Sequence, residues 1–316
     1  MNLRQIYFES EILKDNPFND PHQRKIIAIE IEEKPISKPV IIYLSGYFSS
    51  SISLLNYTIT HLNIIDRVKK LIAEKKMKNS IIVLPDTMTK LGGNQYLDSK
   101  AVGLYESFLV KELIPFLKEV YKTDRIGIIG RSSGGFGALN IAMKGYDIKA
   151  IAVHSPDVYF EYIYLPILPI AYKELRKVKD VKEYINYFWS KEEKSKREMI
   201  TMMIIGLSAF YSKSEEIELP FEMDTGGINN EVWENWIRKD PLRRPIEEFN
   251  NLRRLKMIYI DAGSKDEYNI NIGVKIFHKK LNQLKIPHYY EEYNGKHNAP
   301  SRLNISLPLI ENSLLE

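Results

Sequence analysis

Five short runs dominated by apolar residues constrain this chain more than any other feature: VIIYL at 40–44, SIIVLP at 80–85, IGIIG at 126–130, KAIAVH at 149–154 and LKMIYIDAG at 255–263. A strand that is apolar at nearly every position has to be covered on both faces, which happens in parallel sheets sandwiched between helices. Helix-forming segments separate the runs, at 61–76, at 104–121 and from about Gly134 onward. A helix at 271–285, a strand at 287–295 (PHYYEEYNG) and a terminal helix at 301–315 close the series. Segments 4–13 and 23–32, joined by a turn containing NPFNDP, read as an antiparallel pair at the start. The pattern predicts an α/β fold with a mostly parallel central sheet and helices on both faces.

The alternation breaks between about residues 158 and 245, where helix formers and aromatics replace the strand pattern. This stretch is expected to be a helical, lid-like insertion in a single domain spanning 1–316. Its apolar segments YIYLPILPIAY and MITMMIIGLSAFY, with Trp233 and Trp236, fit a lid over a site, a helical annex with its own core, or a face for a second copy of the chain. The polar loop 85–103 is longer than a plain connector requires and is expected to line a site.

Composition narrows the function classes. With 44% hydrophobic and 27% charged residues the chain is neither disordered nor fibrous. A net charge of +4 without a basic stripe argues against nucleic acid as a partner. There is no cysteine, so disulfides and thiolate chemistry are excluded. No uncharged stretch is long enough to span a bilayer, and MNLRQIYFESEILKD lacks the apolar core of a signal peptide. A cytoplasmic protein without a membrane partner is the expectation.

The chemistry centres on Gly130-Arg131-Ser132-Ser133-Gly134, a G-x-S-x-G pattern between a buried strand and a helix. A nucleophile there sits in a tight turn above the sheet edge, where side chains at the two glycine positions would collide with strand or helix. The helix amino terminus then presents its N–H groups to a developing oxyanion. A phosphate loop would need G-x-x-x-x-G-K-[ST] or G-x-G-x-x-G, and neither is present.

A serine needs a base, and the base an orienting acid. Of the six histidines, His22 falls in the early turn, His61 and His278 fall in predicted helices, and His288 opens the last strand. His297, in YNGKHNAP after that strand, lies at the carboxyl edge of the sheet, where ligands bind in open α/β folds. His154, in VHSPD, shares that edge and is expected to line the substrate site or to be structural. For the acid, GSKDEY favours Asp266, with Glu267 and Asp261 as alternatives. The order Ser132, Asp266, His297 is that of the α/β-hydrolases. The second oxyanion donor is expected in SGYFSSS at 45–51, with the N–H of Tyr47 joining that of Ser133. No zinc pattern is present, and neither metal nor cofactor is expected.

The segments PDTMTKLGGNQYLDS, GRSSGGFGAL, VHSPDVYFE, LPFEMDTG, EVWENWIRKDP, GSKDEYNINIG and GKHNAPSRLNISLPLI resemble, along nearly the whole chain, the "putative esterase" family. That family includes esterase D, S-formylglutathione hydrolase and the mycolyltransferase antigens. The resemblance implies an α/β-hydrolase fold with Ser132 as nucleophile, Asp266 as acid and His297 as base. Family members often carry G-x-S-M-G or G-x-S-x-A, whereas Ser133 fills the variable slot here. The long insertion and the lack of cysteine depart from formylglutathione hydrolases, so the substrate does not carry over.

The expected activity is that of a serine carboxylic-ester hydrolase acting on a small-molecule ester through an acyl-enzyme. The alternatives are an acyltransferase on the same apparatus and a non-catalytic binding protein on this fold. The sequence leaves homo-oligomerisation open.

Overall fold

The computed structural model describes residues 1–31, 36–78 and 80–316. Eight strands form the main sheet: β1 Asn2–Glu9, β2 Gln23–Glu30, β3 Val40–Leu44, β4 Ile81–Pro85, β5 Ile126–Arg131, β6 Ala150–His154, β7 Met257–Gly263 and β8 Tyr289–Tyr293. Their spatial order is β1-β2-β4-β3-β5-β6-β7-β8. β1 and β2 pair antiparallel, β2 joins β4 antiparallel, and the strands from β4 to β8 run parallel. The apolar runs are these parallel strands, and β3, β4, β6 and β7 are buried at every position.

Alternation along each strand divides the core in two, because successive side chains point to opposite faces. Ile42, Leu44, Val83 and Ile128 pack under α2 (Ile114–Tyr121), α3 (Ser133–Met143), α10 (Ile270–Gln283) and the helices of the 158–245 region. Ile41, Tyr43, Ile82 and Ile129 pack on the other face under α1 (Ile64–Ala73) and α11 (Leu303–Leu315).

Several ends differ from the expected ones for local reasons. The first strand stops at Glu9, because the Ser10 hydroxyl accepts the Leu13 N–H and tightens the chain into a turn. The second stops at Glu30, and Glu32 lies outside the described residues. α1 starts at Ile64, not at 61: Asn63 accepts the Asp66 N–H and caps it, leaving His61 in the preceding loop. The helix expected over 104–121 contains a wider π turn over Phe108–Leu113.

Between β6 and β7 the chain forms α4 (Phe160–Tyr164), α5 (Leu168–Leu175), α6 (Val181–Ser190), α7 (Lys196–Tyr211), α8 (Asn230–Ile237) and α9 (Ile246–Asn251). A capping box between Ser195 and Glu198 opens α7, which is almost wholly buried. Trp236 is fully buried against the rings of Tyr211 and Tyr164, 5.0 and 5.5 Å between centroids. Each such aromatic contributes roughly 1.5–3 kcal/mol through burial. The chain winds from β3 outward to β4 and then returns to β5 on the other side of β3. The loops after β3 and β5 therefore flank the reversal of strand order, where α/β sheets leave a crevice.

Candidate active site

Ser132 stands between the end of β5 and the start of α3 with φ 54° and ψ −123°. A non-glycine residue held at positive φ in such a region costs of order 1–3 kcal/mol and persists only where its surroundings enforce it. The two glycines of the motif provide the enforcement. A Cβ on Gly130 would come within 2.1 Å of the Gly134 carbonyl oxygen, and one on Gly134 within 2.1 Å of the Leu44 carbonyl oxygen. Strand, helix and β3 thus meet closer than any side chain permits. The Ser132 N–H donates to the His154 carbonyl at 2.9 Å and fixes the turn to β6.

His297 and Asp266 come from loops after β8 and β7. The two loops touch: the Lys265 N–H donates to the Gly295 carbonyl at 2.9 Å, and a Cβ on Gly263 would lie 2.3 Å from that same oxygen. Across this contact His297 Nδ1 donates to Asp266 Oδ2 at 2.8 Å. The Tyr268 N–H donates to the other carboxylate oxygen at 2.9 Å. With Nδ1 carrying the proton, Nε2 is left as an acceptor. Glu267, an alternative acid on sequence grounds, accepts the backbone N–H of His297 at 3.0 Å and so anchors its loop. The other alternative, Asp261, faces away to His154.

Gly46, Tyr47, Ser132, Ser133 and His297 border one cavity of about 200 Å3. A Cβ on Gly46 would lie 3.2 Å from that of Ser132, so the loop after β3 passes directly beside Ser132. The Tyr47 side chain points away, its hydroxyl donating to the Leu91 carbonyl at 3.1 Å. The structure brings Ser132 and His297 to the same cavity without a hydrogen bond between them. The Ser132 hydroxyl donates instead to Asp157 Oδ1 at 3.4 Å.

Asp157 escaped the sequence reading although it lies in VHSPD, three residues beyond β6 at the same sheet edge as the other loops. An acidic residue just past a fully buried strand was the available signal. Burial pushes its carboxyl above the ordinary value, opposed by hydrogen bonds from Gln95 and Tyr164 and by the charge of His297. The Tyr164 hydroxyl donates to it at 2.9 Å and the Gln95 amide at 3.2 Å. Gln95 is the reach of the 85–103 loop toward the site, for that loop contributes nothing to the cavity wall. Ile163 and Tyr164 of α4 and Met203 and Leu207 of α7 do form that wall, whereas Trp233 and Trp236 pack against each other away from it.

His154 does not border the Ser132 cavity. It borders a neighbouring one, and both ring nitrogens are engaged, Nδ1 with Asp261 at 2.8 Å and Nε2 with Ser306 Oγ at 2.9 Å. His278 and His288 pair with each other at 2.8 Å, remote from the site, and His22 lies 3.4 Å from Glu9. Among the described residues no three histidine or carboxylate side chains cluster as a metal ion would require.

The sheet order, the elbow after β5 and the helices over the carboxyl edge are those of an α/β-hydrolase. Solved structures of several esterases and hydrolases share this fold. A ferulic acid esterase superposes with a TM-score of 0.60 at 18% identity, covering 99% of this chain and 98% of its own. The Staphylococcus aureus fluorophosphonate-binding serine hydrolase FphF gives 0.60 at 13% identity, with 100% and 98% covered. An S-formylglutathione hydrolase from Agrobacterium tumefaciens gives 0.57 at 17% identity, with 99% and 94% covered. No curated protein sequence matches this chain. The "Putative esterase" family model matches residues 33–301, so the chain belongs to that family and is a carboxylic ester hydrolase. Among the described residues no helix is long and apolar enough to cross a membrane.

Proposed function

We propose that this enzyme hydrolyses small carboxylic esters through an acyl-enzyme on Ser132, with His297 as general base and Asp266 as the acid that orients it. The observation that carries the reading is the strained backbone of Ser132 on the wall of the cavity that His297 also borders. Attack requires the Ser132 hydroxyl to turn from Asp157 toward Nε2 of His297, and catalytic hydrogen bonds of this kind tighten in the substrate complex. His297 then takes the serine proton and returns it to the leaving alcohol, while Asp266 stabilises the imidazolium. The N–H groups of Tyr47 and Ser133 receive the oxyanion; neither has a backbone acceptor among the described residues. Water cleaves the acyl-enzyme by the same proton path in reverse.

In this reading residues 1–316 form one α/β-hydrolase domain and 158–245 its lid. Support comes from the four residues of α4 and α7 on the cavity wall. The test is turnover of a short-chain 4-nitrophenyl ester. Wild type is expected to hydrolyse it well above background, and Ser132→Ala to lose a factor on the order of 10⁴ to 10⁶ in kcat. Equal rates for the two proteins would remove Ser132 from the chemistry.

A further inference from the structure

Beside the Ser132 cavity lies a second cavity of about 270 Å3, and the two share Gly46, Arg131 and Asn298 as a common wall. The charge of the second cavity is one-sided. Arg131 and Arg67 both border it, together with the hydroxyls of Ser53 and Thr58 and the amide of Asn56, and none of its described lining residues is an aspartate or glutamate. Among the described residues neither arginine has a carboxylate partner. Arg131 donates through Nη1 to Asn298 Oδ1, and its buried Nε has no acceptor among them. Arg67, itself almost wholly buried, donates to Asn304 Oδ1 at 2.6 Å and to the Leu62 carbonyl at 3.1 Å.

Buried or half-buried cations are ordinarily paired, because leaving one without an anion carries a desolvation cost that neutral acceptors offset only in part. Burial indeed pushes the Arg67 guanidinium below its ordinary value. Two such cations on the wall of a cavity that opens beside the nucleophile are a site awaiting an anion. A guanidinium matches a carboxylate or phosphate with two parallel hydrogen bonds.

We propose that this second cavity is the subsite for an anionic group of the substrate, so that the preferred esters carry a carboxylate or phosphate on one half of the molecule. The proposal rests on Ser132 being the nucleophile. The scissile carbonyl sits at the shared wall beside Gly46 and Ser132, the apolar half faces Ile163, Met203 and Leu207, and the anionic half reaches Arg131 and Arg67. The residue preceding the nucleophile in the elbow thereby becomes a determinant of specificity.

Two pairs of esters test this. 4-Nitrophenyl hemiglutarate against 4-nitrophenyl pentanoate places the charge on the acyl half, and 4-acetoxybenzoate against its methyl ester places it on the alcohol half. Wild type is expected to favour the anionic member of one pair by about tenfold to a hundredfold in kcat/KM at low ionic strength, the range one charged hydrogen bond supplies. The preference should shrink with added salt, and inorganic phosphate should inhibit competitively. In Arg131→Met, which leaves Arg67 in place, the anionic-to-neutral ratio should fall severalfold, with Arg131→Lys between the two. A ratio at or below one for both pairs in wild type, or a ratio unchanged in Arg131→Met, overturns the proposal. The wild-type measurements decide it even if a variant fails to fold. Ser132-dependent hydrolysis of the neutral esters, with no anionic preference, would leave the esterase reading standing and remove only the subsite.

Discussion

Two aspartate–histidine pairs are built from the same strand, β7, and they differ in what they can do. Asp261, inside the strand, holds His154, which continues to the Ser306 hydroxyl on α11. Asp266, three residues past the strand end, holds His297 at the same 2.8 Å. Judged by residue types and distances alone, the first set is the more complete, since its serine, histidine and aspartate are all hydrogen-bonded. Yet Ser306 is fully buried in regular helix, both nitrogens of His154 are spent, and Asp261 also receives Arg302 at 2.7 Å and Tyr259 at 3.0 Å. Among the described residues His297 has one ring nitrogen uncommitted to protein, and it borders a cavity whose serine is held at positive φ. On the proposed mechanism, the difference teaches that access, a free base nitrogen and a strained serine define a hydrolytic site. The identity of three side chains is not enough.

Substitution of the two aspartates sharpens the contrast. Asp266→Asn should lower kcat for a 4-nitrophenyl ester by a factor of about 10⁴ with little change in melting temperature, because it strips the histidine of its orienting acid. Asp261→Asn should do the reverse. Breaking the buried pair leaves His154 without its carboxylate and Arg302 with Glu291 alone, and is expected to cost about 3–5 kcal/mol of stability while sparing kcat in the folded fraction. The comparison breaks if both variants lose turnover equally.

Asp261 contributes to the acid limb of stability, beside other carboxylates held low such as Asp147 and Glu198. Burial alone would raise its carboxyl, but the charges and hydrogen bonds of His154 and Arg302 outweigh burial and hold it below the ordinary 3.8. A folded-state value below the unfolded one means that the unfolded chain binds more protons, so the contribution is full above about pH 4 and lost as pH falls through the folded value. Urea unfolding from pH 7 down to pH 2.5 should therefore show the gap between wild type and Asp261→Asn closing below about pH 4.

Much of this arrangement is legible in the sequence because it depends on local pattern. The runs dominated by apolar residues become β3 to β7, and the glycines at 130 and 134 announce an elbow that only hydrogen-sized side chains allow. The apolar context of Asp261 and the loop context of Asp266 are enough to favour the latter as the partner of a loop histidine. Contacts between distant residues are not legible. His154 meets Ser306 across 152 positions and Asp157 meets Gln95 across 62, and neither neighbour leaves a trace in local periodicity. The insertion combines the lid and annex readings: α7 borders the cavity through Met203 and Leu207, while Tyr211 at its end packs on Trp236 and on Phe136 of α3, within the core on that face of the sheet.

The most direct test of the central claim is to treat the wild-type enzyme with a fluorophosphonate and locate the adduct by peptide mass spectrometry. The account predicts one adduct, on Ser132, forming as esterase activity disappears, with Ser306 unmodified. An adduct on Ser306, or complete inactivation with Ser132 unmodified, would contradict it.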